Sequence, residues 1–248
     1  MNRHIPFDRL HNFRDLGGYR TFDGRTVRWS TLYRADSLGK LAEAAAEQDR
    51  ERFRDLGVRT VIDLRYPWEI DRKGRVPAAD GLAYHNLSIE HRPYNQAALP
   101  PETDTERYLA DRFAEVAEDG VKEIRQALEV IADPGSGTTV FHCASGKDRT
   151  GLIAALVLSL VGVAEDDIVA DFALTNLATE RLVADWKVAN PGRELVWPAF
   201  GTAPEGIMRL FLADLAARYG SVPGYVATAL GAGPDLTDAL RARLLTEA

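Results

Sequence analysis

Residues 142–151, His-Cys-Ala-Ser-Gly-Lys-Asp-Arg-Thr-Gly, constrain this chain more than any other stretch. They hold the only cysteine of the sequence, Cys143, with Arg149 six positions later and small or polar residues between. A β-like run, 138–141, comes before, and a helix-like run, 152–161, follows. A strand that turns directly into a helix through five loop residues must curl its backbone into a cradle. The cradle then sits at a helix N-terminus, where unpaired N–H groups and the helix dipole favour an anion. The same field favours a thiolate over a thiol. A thiolate beneath a bound phosphoryl group is placed to attack phosphorus.

Around that loop the pattern alternates strands and helices in the first half and becomes helical afterwards. Residues 29–34 read as a strand, 37–56 as a helix stopped at Gly57, and 58–64 as a second strand stopped by Pro67. Thr103 or Asp104 can cap a helix whose apolar face is Tyr108, Leu109, Phe113 and Val116. Gly120 breaks or kinks it before Val121, Ile124, Leu128 and Ile131 continue the pattern. Residues 133–137 form a turn into the 138–141 strand. After the loop helix, helical pieces are expected over 165–176, 179–190, 204–219, 222–230 and 236–245. No repeat, low-complexity tract or linker divides the chain, so 1–248 reads as one α/β domain, a small central sheet flanked by helices. Residues 84–119, interrupted by Pro93, Pro100 and Pro101, are the candidate for a helical lid, with plain packing the equal alternative.

Composition narrows the function. Net charge is −7 and there is no long basic run, which argues against a nucleic-acid-binding role. An anion site here must be a local concentration of positive potential. One cysteine allows neither an intrachain disulfide nor a Cys-cluster metal site, and the five histidines lack metal-ligand spacing. Ser145-Gly146-Lys147-Asp148 is no nucleotide P-loop, because the hydroxyl residue after lysine and the first glycine are missing. The first eight residues lack the apolar core of a signal peptide, and the most apolar run, 152–163, is too short to span a bilayer. A cytoplasmic location is expected, with export by an unrecognised route left open.

The Cys-x5-Arg loop, with His before and Thr after, resembles the signature of the protein tyrosine phosphatases and their dual-specificity relatives. The full ten-residue string is similar to the bacterial atypical branch typified by mycobacterial PtpB and the LipA phosphatases. Three further stretches fit that branch in order: Asn12-Phe13-Arg14-Asp15-Leu16-Gly17-Gly18-Tyr19, Val61-Ile62-Asp63-Leu64-Arg65 and Asp171-Phe172-Ala173-Leu174-Thr175-Asn176. The resemblance implies a tyrosine phosphatase-like fold, mainly parallel in its sheet, with the loop at the C-terminal end of a central strand. It implies a metal-independent hydrolysis of phosphotyrosine, extending to phosphoserine, phosphothreonine and phosphoinositides, through phosphocysteine, with no cofactor.

Each candidate residue has a chemical reason and a plainer alternative. Cys143 is the nucleophile, where a lone cysteine is otherwise a small buried hydrophobe. Arg149 grips two phosphoryl oxygens through its planar fork, as a lysine could not. Ala144, Ser145, Gly146, Lys147, Asp148, Arg149 and Thr150 would surround the phosphate. His142 orders the loop, a role implied by the resemblance. Thr150 donates to the thiolate or caps the helix, and Gly146 and Gly151 permit close approach. Lys147 at the rim would add charge for a substrate with several phosphates. A carboxylate beside a dianion is repelled unless it keeps a proton and faces the leaving oxygen, so Asp148 is the candidate general acid. The alternative is pairing with Arg149 or capping of loop amides. Asp63 is a second acid candidate or an orienting partner of the loop. Arg65 binds a second phosphate or braces the strand end. Asp111, 32 positions before Cys143 (143 − 111), is a weaker acid candidate on a charged helix. Arg14 and Asp15 read as structural pins. A degenerate phosphopeptide-binding module and a rhodanese-like sulfur transferase are the rival functions.

Overall fold

A computed structural model describes residues 3–247, so the outermost residues of the expected 1–248 domain, Met1, Asn2 and Ala248, lie outside the described residues. Five strands form one sheet: β1 (Arg14–Asp15), β2 (Leu32–Ala35), β3 (Thr60–Asp63), β4 (Ala83–Asn86) and β5 (Thr139–His142). Their spatial order is β1-β2-β5-β3-β4, parallel throughout except for β1 against β2. Strand β5 is central and every residue in β2, β3 and β5 is buried, as a parallel sheet covered on both faces requires. The register aligns Ala35, Asp63 and His142 at one level. The loops leaving three strands therefore emerge side by side at the C-terminal edge. This is the expected α/β architecture.

The helices are α1 (Glu47–Asp55), α2 (Pro67–Lys73), α3 (Thr105–Asp119), α4 (Val121–Ala132), α5 (Asp148–Val161), α6 (Glu165–Ala173), α7 (Thr179–Ala189), α8 (Glu205–Tyr219), α9 (Val222–Thr228) and α10 (Pro234–Leu244). Helix α5 is apolar nearly all round and buried over almost its whole length, so it forms the axis of the helical layer. Among the described residues no helix is long and apolar enough to cross a membrane.

One expectation needs revision and two others gain structural detail. The helix read over 37–56 is two 3-10 turns (Leu38–Ala42, Ala44–Ala46) followed by α1. Gly39 lies so close to the Gly74 carbonyl that a Cβ would sit 2.5 Å from its oxygen, and the tight path that this contact demands is a 3-10 turn. The stretch 84–119, the candidate for a helical lid, divides into elements of different kinds. Its first residues belong to edge strand β4, and its last fifteen are α3, whose Leu109, Ala110, Phe113 and Val116 are core. Only the connection between them lies over the sheet edge. Gly120 does separate α3 from α4, and the reason is tertiary: a Cβ there would fall 2.1 Å from the Ile89 carbonyl oxygen.

Candidate active site

The loop after β5 is held from behind by its own carbonyls. Ala144 O accepts from the Ser37 amide at 3.1 Å, Ser145 O from Asn12 Nδ2 at 3.0 Å, and Gly146 O from an Arg34 guanidinium nitrogen at 2.8 Å. In a trans peptide the following N–H points the opposite way. The amides of Ser145, Gly146 and Lys147 are therefore aimed to the other side, and none of the three donates to a protein acceptor among the described residues. Buried backbone donors are seldom left so. Three unpaired amides at the start of α5 can serve as a cradle for an oxyanion. Gly146 makes the turn possible: its φ is +68° and a Cβ would lie 2.6 Å from Ala35 O.

The outer supports come from the other two loop-flanking motifs. Asp171 on α6 pairs with Arg14 at 3.1 Å and Arg34 at 2.5 Å and accepts from Tyr19 Oη at 3.1 Å. Burial alone would raise its pKa, but the two guanidinium groups hold it down at about 2. Asn12 accepts from Arg14 and donates to Thr175 as well as to the loop. Gly151 lets Phe172 lie against α5, where a Cβ would meet the ring at 2.9 Å. Asp15 accepts from the Gly17 and Ser30 amides, each at 2.7 Å, and so pins the Gly17–Gly18 turn.

Cys143 opens the loop directly after β5 and is 2% exposed. Burial opposes the Arg149 cation, yet Cys143, Glu69 and Glu90 together hold its pKa above the ordinary value. Glu69 on α2 takes both terminal nitrogens of Arg149, at 2.6 and 3.2 Å, while accepting from the Tyr66 amide at 2.9 Å. Glu90 Oε2 lies 3.6 Å from Arg149 Nε. His142 faces the Cys143 carbonyl through Nδ1 at 3.2 Å, which makes Nδ1 the protonated nitrogen, and its Nε2 lies 3.5 Å from Asp63. Burial pushes the His142 pKa down. The Thr150 hydroxyl is buried and has no hydrogen-bond partner.

The acid candidates separate clearly in space. Asp148 opens α5 beside Arg149, with Oδ2 accepting from Gln96 Nε2 at 3.1 Å and Oδ1 buried without a hydrogen bond. Asp63 is fully buried and saturated: it accepts from Arg65 through both oxygens and from Tyr84 Oη at 2.9 Å. Burial works against its charge, but His142 and Arg65 keep its pKa at about 2, so it has no proton to give near neutrality. Its geometry is that of an orienting partner. Arg65 is consumed as a brace, by Asp63, by Ser37 Oγ at 3.0 Å and by Gly74 O at 3.0 Å. Asp111 sits on the exposed face of α3, paired with Arg107 at 2.7 Å and outside the cleft.

Lys147 is not at the rim. It is 1% exposed, with Nζ 3.1 Å from Thr202 O, 3.5 Å from Gln96 Oε1 and 3.4 Å from Asp148 Oδ1. It is a strut between the loop and the two segments that cover it, 87–104 and 190–204. Those segments also meet each other, Val196 N–H donating to Ala97 O at 3.2 Å. Above Ala144 and Ser145 the cleft has two lobes, each of about 550 Å3 or slightly less. One is aromatic, with Tyr66, Trp68, Tyr94, Trp186 and Phe200 beside Arg149 and Asp148. The other runs toward Lys40, Lys73 and Arg9. Glu69, Glu90, Gln96 and the supports Arg34 and Asn12 had no assigned role in the sequence reading. Asn12 opens the Asn12-Phe13-Arg14 stretch and Glu69 follows Arg65 by four positions, whereas Arg34, Glu90 and Gln96 carry no signal in the sequence around them.

Among the described residues no group of three His, Cys, Asp or Glu side chains could hold a metal ion. A sequence model described as the tyrosine phosphatase family matches residues 5–246. A Cupriavidus necator protein that carries a tyrosine-protein phosphatase name is 37% identical over 183 residues, 71% of this chain and 64% of that protein. The triple specificity protein phosphatase PtpB of Mycobacterium tuberculosis is 30% identical over 201 residues, 70% of this chain and 69% of its own. A tyrosine-protein phosphatase of Nostoc commune is 28% identical over 222 residues, covering 85% and 73%. The match thus spans just under two thirds of the first of these relatives. Among solved structures, P. aeruginosa TpbA aligns over 76% of this chain and 89% of its own at 16% identity with a TM-score of 0.32, too distant to build on.

Proposed function

The chain belongs to the tyrosine phosphatase family, and from that premise we propose that it is a cysteine-dependent phosphomonoester hydrolase acting on phosphotyrosine. The observation that carries the reading is the set of three unpaired amides facing away from the tied carbonyls of Ala144, Ser145 and Gly146, in one short loop with the buried Cys143 and with Arg149. The Cys143 thiolate attacks phosphorus, the S–P bond forms and the ester O–P bond breaks. Asp148 gives its proton to the leaving oxygen. Water then attacks the phosphocysteine, Asp148 takes a proton from it, and inorganic phosphate leaves as the thiolate reforms. Loop amides and guanidinium are stronger partners for the spread charge of the transition state than for the ground state. His142 and Asp63 hold the loop in place, and Arg65 holds Asp63.

The aromatic lobe favours an aryl phosphate, its rings lining the path that the phenol would occupy. Phosphoserine, phosphothreonine and phosphoinositides are the second reading. It is favoured by the other lobe, where the Lys73 ammonium makes no ion pair or hydrogen bond among the described residues. A reducing cytoplasm suits the reactive thiol. Hydrolysis of p-nitrophenyl phosphate in the presence of a chelator, blocked by vanadate and lost by about 10⁴-fold or more in Cys143→Ser, is the expected result. Phosphopeptide binding without turnover would instead assign a binding module, and thiosulfate cleavage a sulfur transferase.

A further inference from the structure

Arg149 meets carboxylates on two edges, and they are held very differently. Glu69 is fixed on the terminal edge by hydrogen bonds to both guanidinium nitrogens and to the Tyr66 amide. Glu90 faces the Nε edge and accepts no hydrogen bond among the described residues. It is placed by ion pairs alone, 3.6 Å from Arg149 and 3.6 Å from Arg112. Its position is nonetheless built in, because Ile89 is fully buried and its carbonyl presses on Gly120. Glu90 lines the aromatic lobe with Asp148 and Arg149, so it stands where a phosphoryl oxygen must arrive if that oxygen is to use Nε.

Resting on the oxyanion-cradle reading above, we propose that Glu90 is an internal stand-in for the substrate oxyanion, ionised in the free protein and protonated when a tetrahedral dianion takes the Nε edge of Arg149. The groups facing it are Arg149 and Asp148 from α5, Arg112 from α3, Glu69 and Tyr66 at the start of α2, and Tyr94 from its own segment. Burial already raises its pKa and Asp148 adds to this, against the pull of Arg149 and Arg112. An arriving dianion takes up Arg149 and brings two further negative charges, so the balance moves to the neutral acid. The proton comes from solvent and stays on Glu90. Binding is therefore coupled to uptake of a proton, and affinity for the dianion rises as pH falls. Glu90 is a positioning residue in this account, acting through Arg149.

Sulfate tests this, because it is a tetrahedral dianion that does not titrate near neutrality. The measurement is made in a Cys143→Ser background, where the thiol cannot take the proton, by calorimetry in buffers of different ionisation enthalpy. Sulfate binding is expected to take up close to one proton, with affinity changing roughly tenfold per pH unit across the coupled range. Adding Glu90→Gln should reduce the uptake to less than half and flatten the pH dependence, whereas adding Asp148→Asn should leave most of the uptake. Unchanged uptake in the Glu90→Gln protein, or none in the Cys143→Ser parent, overturns the proposal. Turnover of p-nitrophenyl phosphate by the protein with Cys143 intact reports separately on the phosphatase reading. Turnover with unchanged uptake in Glu90→Gln sinks the Glu90 assignment alone.

Discussion

The two faces of the 143–149 loop are built on opposite principles. Behind it the buried polar groups are tied together: three carbonyls are taken by Ser37, Asn12 and Arg34, and Arg34 and Arg14 by a single buried Asp171, while Arg34 Nε alone of these groups lacks a hydrogen bond. In front of it, groups stay without a hydrogen bond among the described residues: three loop amides, the Thr150 hydroxyl, and the loosely ion-paired Asp148 Oδ1 and Glu90. Unsatisfied polar groups cost about 1–3 kcal/mol each when buried. The tied rear face fixes a backbone that could otherwise relax to satisfy its own front. Rigidity on one side is thus the condition for reactivity on the other, as preorganised oxyanion sites require.

Breaking the rear face should have the largest effect. Asp171→Asn leaves Arg14 and Arg34 buried without a counter-charge, and loss of a buried partner of this kind costs about 3–5 kcal/mol. Urea unfolding should show that loss, together with a matching loss of turnover as the Gly146 carbonyl is released. The pH dependence has a definite sign. A carboxylate held at about 2 contributes its stability above the ordinary carboxylate range and loses it as pH falls toward 2. Wild type should therefore lose more stability than Asp171→Asn between about pH 5 and pH 2. Equal acid sensitivity would mean that Asp171 is not the keystone of that face.

How much of this was legible in the sequence follows the same division. The strand, loop and helix were readable because ten consecutive residues specify them, and the break at Gly120 because glycine interrupts an apolar periodicity. The rear supports were visible as motifs but not as contacts. Nothing in the sequence says that Asp171 meets Arg34, 137 residues away. Strand β4 was hidden because Ala83-Tyr84-His85-Asn86 is a half-exposed edge with no apolar alternation to mark it. Lysine is ordinarily exposed, and the burial of Lys147 depends on Thr202 and Gln96 arriving from distant segments. Glu69 and Glu90 lie on segments whose direction only the tertiary fold determines.

The front face is sharpened next by Asp148. Its Oδ1 is buried and accepts no hydrogen bond among the described residues, with the Lys147 ammonium 3.4 Å away as its ion-pair partner. Asp148→Asn should cut kcat by about 10²-fold for phenyl phosphate, whose phenoxide leaving group is basic enough to need a proton. p-Nitrophenyl phosphate, which needs it far less, should lose under about tenfold. If Asp63→Asn gave that pattern instead, the acid would have to be a group that the structure shows saturated by Arg65 and Tyr84.

The smallest effect belongs at the mouth. Trp68 is 53% exposed, an unusual place for so large an apolar ring, and it stacks on Tyr66 with centroids 5.6 Å apart and planes at 17°. Tyr66 in turn lies 5.5 Å from the Arg149 guanidinium. The stack extends the aromatic wall from the reacting group outward, where a phenol ring would meet it and a serine side chain would not reach. Aromatic contacts are worth about 0.5–1.5 kcal/mol beyond their buried area. Trp68→Ala should therefore raise KM for a phosphotyrosine peptide by about 3–10-fold. Its kcat should hold, since the ring contacts ground state and transition state alike. A phosphothreonine peptide should show no change. Equal rises for both peptides would move the selectivity from the front wall to the cradle itself, and the contrast between the two faces would no longer explain substrate choice.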